Sequence, residues 1–148
     1  MVGRLRVFGF VVLLIAGTTT SPANAQSAPE AVVRAHIEAH NAHDIEALLK
    51  TLAEVVDMRI LVPDGTPETK NLLDRAQQRQ RFLTAFRFNP NARSRVLSVV
   101  TSGSTVVVRD EGTGLVGGTR QAGLALYRVD RGRISAIWIL NTEAVHRE

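Results

Sequence analysis

The sequence predicts an α+β domain, with helices first and a mainly antiparallel sheet last. Three observations carry this. Apolar residues recur at helical spacing through the first half of the domain, up to Phe88. From Ala92 onward they alternate with period two. Finally, Tyr127 to Trp138 reads as a closing hairpin, because bulky and apolar residues alternate on both sides of Asp130-Arg131-Gly132, the composition that a tight turn with a positive backbone dihedral requires.

Residues 1–25 stand apart from the domain. Arg4 and Arg6 precede an apolar run from Val7 to Ala16, then Gly17, a Thr/Ser/Pro stretch and Ala23-Asn24-Ala25. A basic end, a short apolar core and a small-x-small site in that order make a secretory signal, cleaved after Ala25. An N-terminal membrane anchor is the alternative, but the run is shorter than the ~20 residues that span a bilayer. No Cys follows the apolar core to take a lipid, and no adjacent Arg pair marks export in the folded state. The expected product is a domain of residues 26–148, periplasmic or secreted, with no membrane contact once the signal is removed.

The charge balance changes with that cleavage. Without Arg4 and Arg6, Lys+Arg falls from 18 to 16 against 14 Asp+Glu, and the formal charge from +4 to +2. Arg59, Arg75, Arg95, Arg109, Arg120 and Arg133 are scattered among acids rather than gathered on one face, so the pattern excludes a nucleic-acid binder. With no Cys, stability rests on the core, although an exported compartment would permit disulfides. The 123 residues left of the 148 suit one domain with one core.

The elements follow in order. Ser27-Ala28-Pro29-Glu30 opens a helix, with Ser27 as cap and Pro29 in the first turn, where its missing N–H costs nothing. That helix should run to about Asn41. Asp44 caps a second helix, whose Ile45, Leu48, Leu49 and Leu52 share a buried face. Val55 to Val62 reads as a short strand closed by the turn residues Pro63-Asp64-Gly65. A third helix is expected from about Glu68 to Phe88, with Leu72, Leu73, Ala76, Leu83 and Phe86 inward, Asp74, Gln77, Gln78 and Arg81 outward, and Asn89-Pro90 as the stop. Strands are then expected over Val96–Thr101, Thr105–Arg109, Arg120–Val129 and Arg133–Asn141. Helices segregated from an antiparallel sheet define the α+β class. Gly112, Gly114, Gly117 and Gly118 are not followed by a helix, so they read as a flexible loop rather than a phosphate cradle.

This order of elements, with Asn41-Ala42-His43-Asp44 between the first two helices and Val129-Asp130-Arg131-Gly132-Arg133-Ile134 in the last hairpin, resembles the nuclear-transport-factor-2-like superfamily. Gly132-Arg133-Ile134 followed by Trp138 is similar to the SnoaL-like branch related to polyketide cyclases. The likeness covers about Pro29 to Thr142. It implies a cone-shaped fold, in which the N-terminal helices pack in a curved, mainly antiparallel sheet. It also implies a pocket at the open end and frequent dimerisation through the sheet, hence a homodimer.

Helix one holds the most suggestive chemistry. At 100° per residue Val32, Val33, Ala35, His36, Ile37, Ala39 and His40 fill one arc, and Glu30, Arg34, Glu38 and Asn41 the other. In the resembled fold this face looks into the pocket, and His36 falls about where ketosteroid isomerases carry an oxyanion-stabilising tyrosine. His36 is then expected to donate a hydrogen bond to a ligand carbonyl. The plain alternative is that His36 and His40 are satisfied core or pocket-wall residues. Their spacing also suits a metal on a helix, but a zinc site needs a third protein ligand, and no Glu follows His36 as the protease motif requires. No metal and no cofactor are expected.

The resembled enzymes rely on carboxylates inside the cone. By approximate matching, the isomerase base falls near Val62 and its second acid near Leu124 or Ala125. The cyclase acid falls near Thr142, beside Asn141 and Glu143, and the last-strand acid of the epoxide hydrolases near Ile139. The acids are missing at the positions these chemistries share. The remaining candidates are Asp57 and Arg59, Arg109 and Asp110, and Tyr127 and Trp138, for each of which surface pairing or core packing is the plainer role. The expected function is an exported domain that binds a small hydrophobic molecule without catalysis, using Tyr127, Trp138, Asn141, Asp57 and Arg59, with Trp138 at the sheet or pocket rim. Two other functions stay open. One is an isomerase, cyclase or hydratase acting on a small hydrophobic carbonyl compound with His36 or His40 as acid/base; the other is a structural dimerisation module.

Overall fold

The computed structural model describes residues 28–61, 67–118 and 120–145. The signal segment, the Ser27 cap, Val62 and the Pro63-Asp64-Gly65 turn lie outside the described residues. Helix α1 spans Ala28–Ala42 and α2 spans Ile45–Thr51. Strands β1 (Leu52–Leu61) and β2 (Pro67–Leu73) lead into α3 (Arg75–Phe88). Strands β3 (Arg93–Ser102), β4 (Thr105–Thr113), β5 (Arg120–Asp130) and β6 (Arg133–Val145) complete the chain.

Two caps set the start. His43 sits in the left-handed region at φ 56°. Around it Asp44 N–H donates to Ala39 O and His43 N–H to His40 O, the paired bonds of a Schellman ending. Asp44 then turns cap for α2, its carboxylate accepting from Ala47 N–H at 2.9 Å. The helices therefore meet at a fixed angle within two residues.

The third helix starts later than the periodicity predicts. Asp74 and Gln77 form a reciprocal capping box, which fixes the first helical residue at Arg75. Residues 67–73 are instead strand β2, paired with β1 so that Leu73 faces Val56 and Leu72 faces Asp57. Seven residues of strand give β1 a second partner, and helix propensity at Leu72 and Leu73 loses to that ladder. The inward stripe also shifts: Leu73 and Phe86 pack against the core as expected, but Leu72, Ala76 and Leu83 are exposed, and Gln78 and Phe82 are buried in their place. Gln78 is only 2% exposed, and its Nε2 donates to the Ala53, Glu54 and Leu73 carbonyls, tying α3 to the start of β1 and the end of β2. Arg75 does the same for α2, donating to the Leu49 and Leu52 carbonyls and pairing with Glu54 at 2.8 Å.

The sheet runs β2-β1-β6-β5-β4-β3, antiparallel except for the parallel β1–β6 pair. The closing hairpin turns through Arg131 (φ 51°) and Gly132 (φ 73°), with Asp130 paired to Arg133. Two positive dihedrals in a two-residue loop make a type I′ turn, whose twist matches the strands. Just beyond it the register shifts: Val129 pairs with Ile134 but Arg128 pairs with Ala136. Ser135 is thus an extra residue on β6, a bulge that lets both Ile134 and Ile137 point to the core. The glycine segment is partly ordered: Gly112 lies in β4, and a Cβ on Gly114 would stand 1.9 Å from Asn91 O. Its close approach to the α3–β3 connection requires glycine.

Register and burial define two faces. Val56 and Met58, Val106, Val108 and Asp110, Gly123, Ala125 and Tyr127, and Ile137 and Ile139 look toward the helices. Asp57, Arg59, Leu124, Leu126, Trp138 and Leu140 occupy the opposite face. Within the described residues no helix is long and apolar enough to cross a membrane.

Candidate functional site

Between α1, α3 and the inner face of the sheet lies a cavity of about 270 Å³. Its apolar walls are Ile37, Met58, Phe82, Ala85, Ala125, Ile137 and Ile139; its polar groups are His36, His40, Arg81, Ser94, Asp110 and Tyr127. Arg81 and Ala85 are exposed and bring α3 to the side where the cavity meets solvent.

The protonation of His36 follows from its neighbours. Thr51 Oγ1 lies 2.7 Å from Leu48 O. Two oxygens that close need a proton between them, and the carbonyl has none, so the single hydroxyl proton of Thr51 is committed there. His36 Nδ1 stands 2.8 Å from the same Oγ1 and must therefore be the donor. In a neutral ring this leaves Nε2 as a bare acceptor. Burial, and then the charge of His40, push the His36 pKa down to about 3, so the ring is neutral at ordinary pH. The ring is held edge-on by Phe82 and Tyr127, with centroids 6.1 and 6.0 Å away. The expectation that His36 donates to a ligand carbonyl is corrected by this tautomer: toward the cavity the ring can only accept.

One turn on, His40 packs its edge against Phe86 at 5.2 Å, and its Nδ1 is buried with no partner among the described residues. Burial is the main cause that holds its pKa below the usual histidine value, with the His43 charge second; Asn41 and Asp110 act in the opposite sense. Asn41 clamps α1 to β3, its Nδ2 donating to Ser94 O at 2.8 Å while its Oδ1 accepts from Ser94 N–H at 2.7 Å. Ser94 Oγ in turn donates to Asp110 Oδ2 at 2.5 Å. The loop motif that opens on Asn41 thus orients the carboxylate in the cavity.

Tyr127 is buried, and its hydroxyl makes no hydrogen bond among the described residues. Burial, reinforced by the Asp110 charge, drives its pKa well above that of a free tyrosine, so it stays a phenol and a donor. The site thus sets a carboxylate (Asp110) and an imidazole acceptor (His36) against a phenol donor (Tyr127), inside walls of low polarity. Such a site can orient a small molecule by hydrogen bonds and can move a proton between a carboxylate and a bound group. No group of three metal-binding side chains occurs among the described residues.

Of the residues expected to form the site, His36, His40 and Tyr127 come together. Asp57, Arg59 and Trp138 do not. They form their own cluster on the outer face, where Arg59 bonds Asp57 twice, at 3.1 and 2.6 Å, and lies 4.5 Å over the Trp138 ring. Trp138 is therefore not at the pocket rim: the Ser135 bulge turns Ile137 and Ile139 inward in its place. Asn141 pairs with Gly123 in register, but its side chain lies outside the described residues, as does that of Thr142. Ala125 and Ile139, two of the positions matched to family acids, are apolar wall. Asp110, read as a surface group from its strand context, is the carboxylate that enters. The signal for it was there: Val106, Val108 and Asp110 fall on alternate positions of one strand, so a core role for the valines carries the aspartate inward. Ser94, Arg81, Met58 and Phe82 left no such mark.

Comparison with known proteins agrees with this architecture. The sequence profile of the SnoaL-like domain matches residues 33–137, and the chain belongs to that family. Solved structures with the same fold include a candidate ketosteroid isomerase from Kribbella flavida, at 20% identity over 82% of each chain with a TM-score of 0.64. Another is IdmH, a candidate polyketide cyclase from Streptomyces antibioticus, at 23% identity over 76% of this chain and 91% of that one, TM-score 0.62. A SnoaL-like protein of unknown function from Burkholderia thailandensis matches at 18% identity over 82% and 100%, TM-score 0.64. At these identities the likeness shows the fold. No match to a curated protein was found by sequence.

Proposed function

We propose that this member of the SnoaL-like family is an exported protein that binds a small, mainly apolar molecule in the cavity between α1, α3 and the sheet. The observation that carries the reading is the lining. Seven side chains, Ile37, Met58, Phe82, Ala85, Ala125, Ile137 and Ile139, supply apolar wall, while the Tyr127 hydroxyl and His36 Nε2 have no partner in the chain among the described residues. Few, placed polar groups in an apolar cavity are the make-up of small-molecule sites. The test fills the cavity. Ala125→Phe should abolish calorimetric binding of a two-ring aromatic probe, whereas Leu124→Phe, its neighbour on the outer face, should leave affinity within about twofold. Equal effects from the two would put the ligand elsewhere.

A second reading is an isomerase, cyclase or hydratase, and Asp110 favours it. A histidine with a pKa near 3 is a weak base at neutral pH, because general-base efficiency peaks when the pKa lies near the working pH. The geometry supports Asp110 as proton acceptor and Tyr127 as donor to developing negative charge, in place of His36. Asp110→Asn should then cut turnover by roughly 10²–10⁴ with affinity preserved. Unchanged turnover removes this reading and leaves the binding one.

Export rests on the order of charge, apolar core and Ala-x-Ala in residues 1–25. Intact-mass measurement should find the exported chain starting near Gln26. A homodimer through the outer face would cover Leu124, which is exposed there beside Leu126 and Trp138. Sedimentation of the mature chain as a monomer at high concentration would remove that part of the reading.

A further inference from the structure

Building on the binding reading, we infer that the α1 side of the cavity selects a ligand carrying a hydroxyl group, whose proton goes to Nε2 of His36, over the matching ketone or ether. The argument begins with the hydrogen-bond count. Thr51 gives its proton to Leu48 O and so takes the Nδ1 proton of His36, which locks the ring in the tautomer with a bare Nε2. His36 is buried yet lines the cavity, and Nε2 has no donor among the described residues. Nε2 opens onto the cavity, so a bound molecule that displaces solvent there leaves it unpaired unless the molecule supplies a donor.

The rest of the wall points the same way. Asp110 accepts from Ser94 with one oxygen, and its other oxygen, Oδ1, lies beside Gly123, where a Cβ would stand 3.8 Å from it. That is ordinary van der Waals contact, and the nearer neighbour of such a Cβ is Leu140 O at 3.3 Å. Away from the exposed Arg81 at the mouth, the cavity offers two fixed acceptors, His36 Nε2 and Asp110 Oδ1, against one fixed donor, the Tyr127 hydroxyl; the neutral ring of His40 adds one donor and one acceptor and leaves that excess of acceptors unchanged. A hydroxyl both donates and accepts, and so can satisfy Nε2 and Tyr127; a ketone or ether can serve Tyr127 alone and leaves Nε2 unpaired. A site built to hydrogen-bond a hydroxyl rejects the analogue that lacks it, because the buried polar atom is then orphaned.

The experiment compares 2-naphthol with 2-methoxynaphthalene, which share a ring system and differ by a methyl cap on the oxygen. Calorimetry on the wild-type protein should show the naphthol bound at least about tenfold more tightly. In Thr51→Val the Nδ1–H loses its acceptor, the tautomer is no longer locked, and the preference should fall to within about threefold. Nitrogen NMR of the wild-type His36 ring provides a reading that does not depend on the variant folding: Nδ1 alone should carry a proton at neutral pH, and the Nε2 resonance should move on adding naphthol but not the ether. Equal binding of the two probes overturns the inference and leaves the binding reading standing, as does a proton found on Nε2. A preference that survives Thr51→Val with Nε2 unmoved assigns the proton to Asp110 and also overturns it. Failure of both probes to bind takes away the binding reading and this inference together.

Discussion

The two sides of the sheet treat their polar groups in opposite ways. On the outer face Arg59 is engaged twice over, bonded to Asp57 and stacked on Trp138. On the inner side the Tyr127 hydroxyl, His36 Nε2 and His40 Nδ1 stand without partners among the described residues. Trp138 Nε1, buried and unpaired, is the exception on the outer side. Of the three inner atoms only His40 Nδ1 is fully buried, where an unpaired polar atom costs ~1–3 kcal/mol; the other two open onto the cavity. On the proposed binding function, the contrast separates a face arranged for the chain itself from a face arranged for a ligand.

The largest effect with which to break the contrast is acid. His36 is neutral in the folded chain down to about pH 3, whereas in the unfolded chain it takes a proton near the ordinary histidine value of 6.5. Between those limits the unfolded state binds the extra proton, so stability is complete above about pH 6.5 and falls as pH drops, with a total loss on the order of several kcal/mol. The depressed His40 adds to the fall in the same direction. Denaturant melts of wild type and His36→Gln between pH 7 and 4.5 should show a clearly shallower slope in the variant. Parallel slopes would mean that the ring is not buried as described.

The second effect compares residues two strands share. Ile137 is 3% exposed and Leu124 37% exposed, on opposite faces. Ile137→Ala should cost ~2–5 kcal/mol, the range for a large core side chain cut to alanine, and Leu124→Ala well under 1 kcal/mol. Similar losses would show that the outer face is covered, as in a dimer.

The third tests whether the faces are independent. Arg59→Ala removes the stack on Trp138. Trp138 emission should move to the red as the ring gains solvent, while affinity for a cavity ligand stays within about twofold. A tenfold loss of affinity would tie the outer cluster to the site.

The fold was legible where local chemistry and tertiary packing agree. Asp44 and the Asp130-Arg131-Gly132 turn announce themselves because capping and positive φ demand particular residues. Residues 67–73 were not legible, because Leu72-Leu73 fits a helix as well as a strand, and only pairing with β1 decides. The site was half legible. His36, His40 and Tyr127 were found by helical phase and by the hairpin, but one bulge at Ser135 exchanges which residues of β6 face inward, and period-two reading carries that error to Trp138. Asp110 was within reach of the same counting, had its strand been anchored on Val106 and Val108 rather than on the habit of charged residues to face water.

The smallest effect concerns the hinge that aims α1 at the cavity. A non-glycine residue with φ 56° carries a left-handed penalty of ~1 kcal/mol, which glycine at position 43 would relieve. Against that, His43 stacks on Phe86 at 4.1 Å and 16°, a contact of ~0.5–1.5 kcal/mol, and its Nε2 accepts from Arg93 Nη1 at 2.9 Å. The opposing contributions nearly cancel, so His43→Gly should change stability by less than ~0.5 kcal/mol while His43→Ala, which keeps the strain and loses the stack, costs ~1 kcal/mol or more. Phe86 also packs on His40, so the stack reaches the cavity through one side chain. If loss of the stack lets that ring move, His43→Gly will weaken ligand binding without weakening the fold, and the inner face will prove to depend on a residue outside it. If affinity is unchanged, the Asn41–Ser94 clamp alone is enough to hold α1 in place.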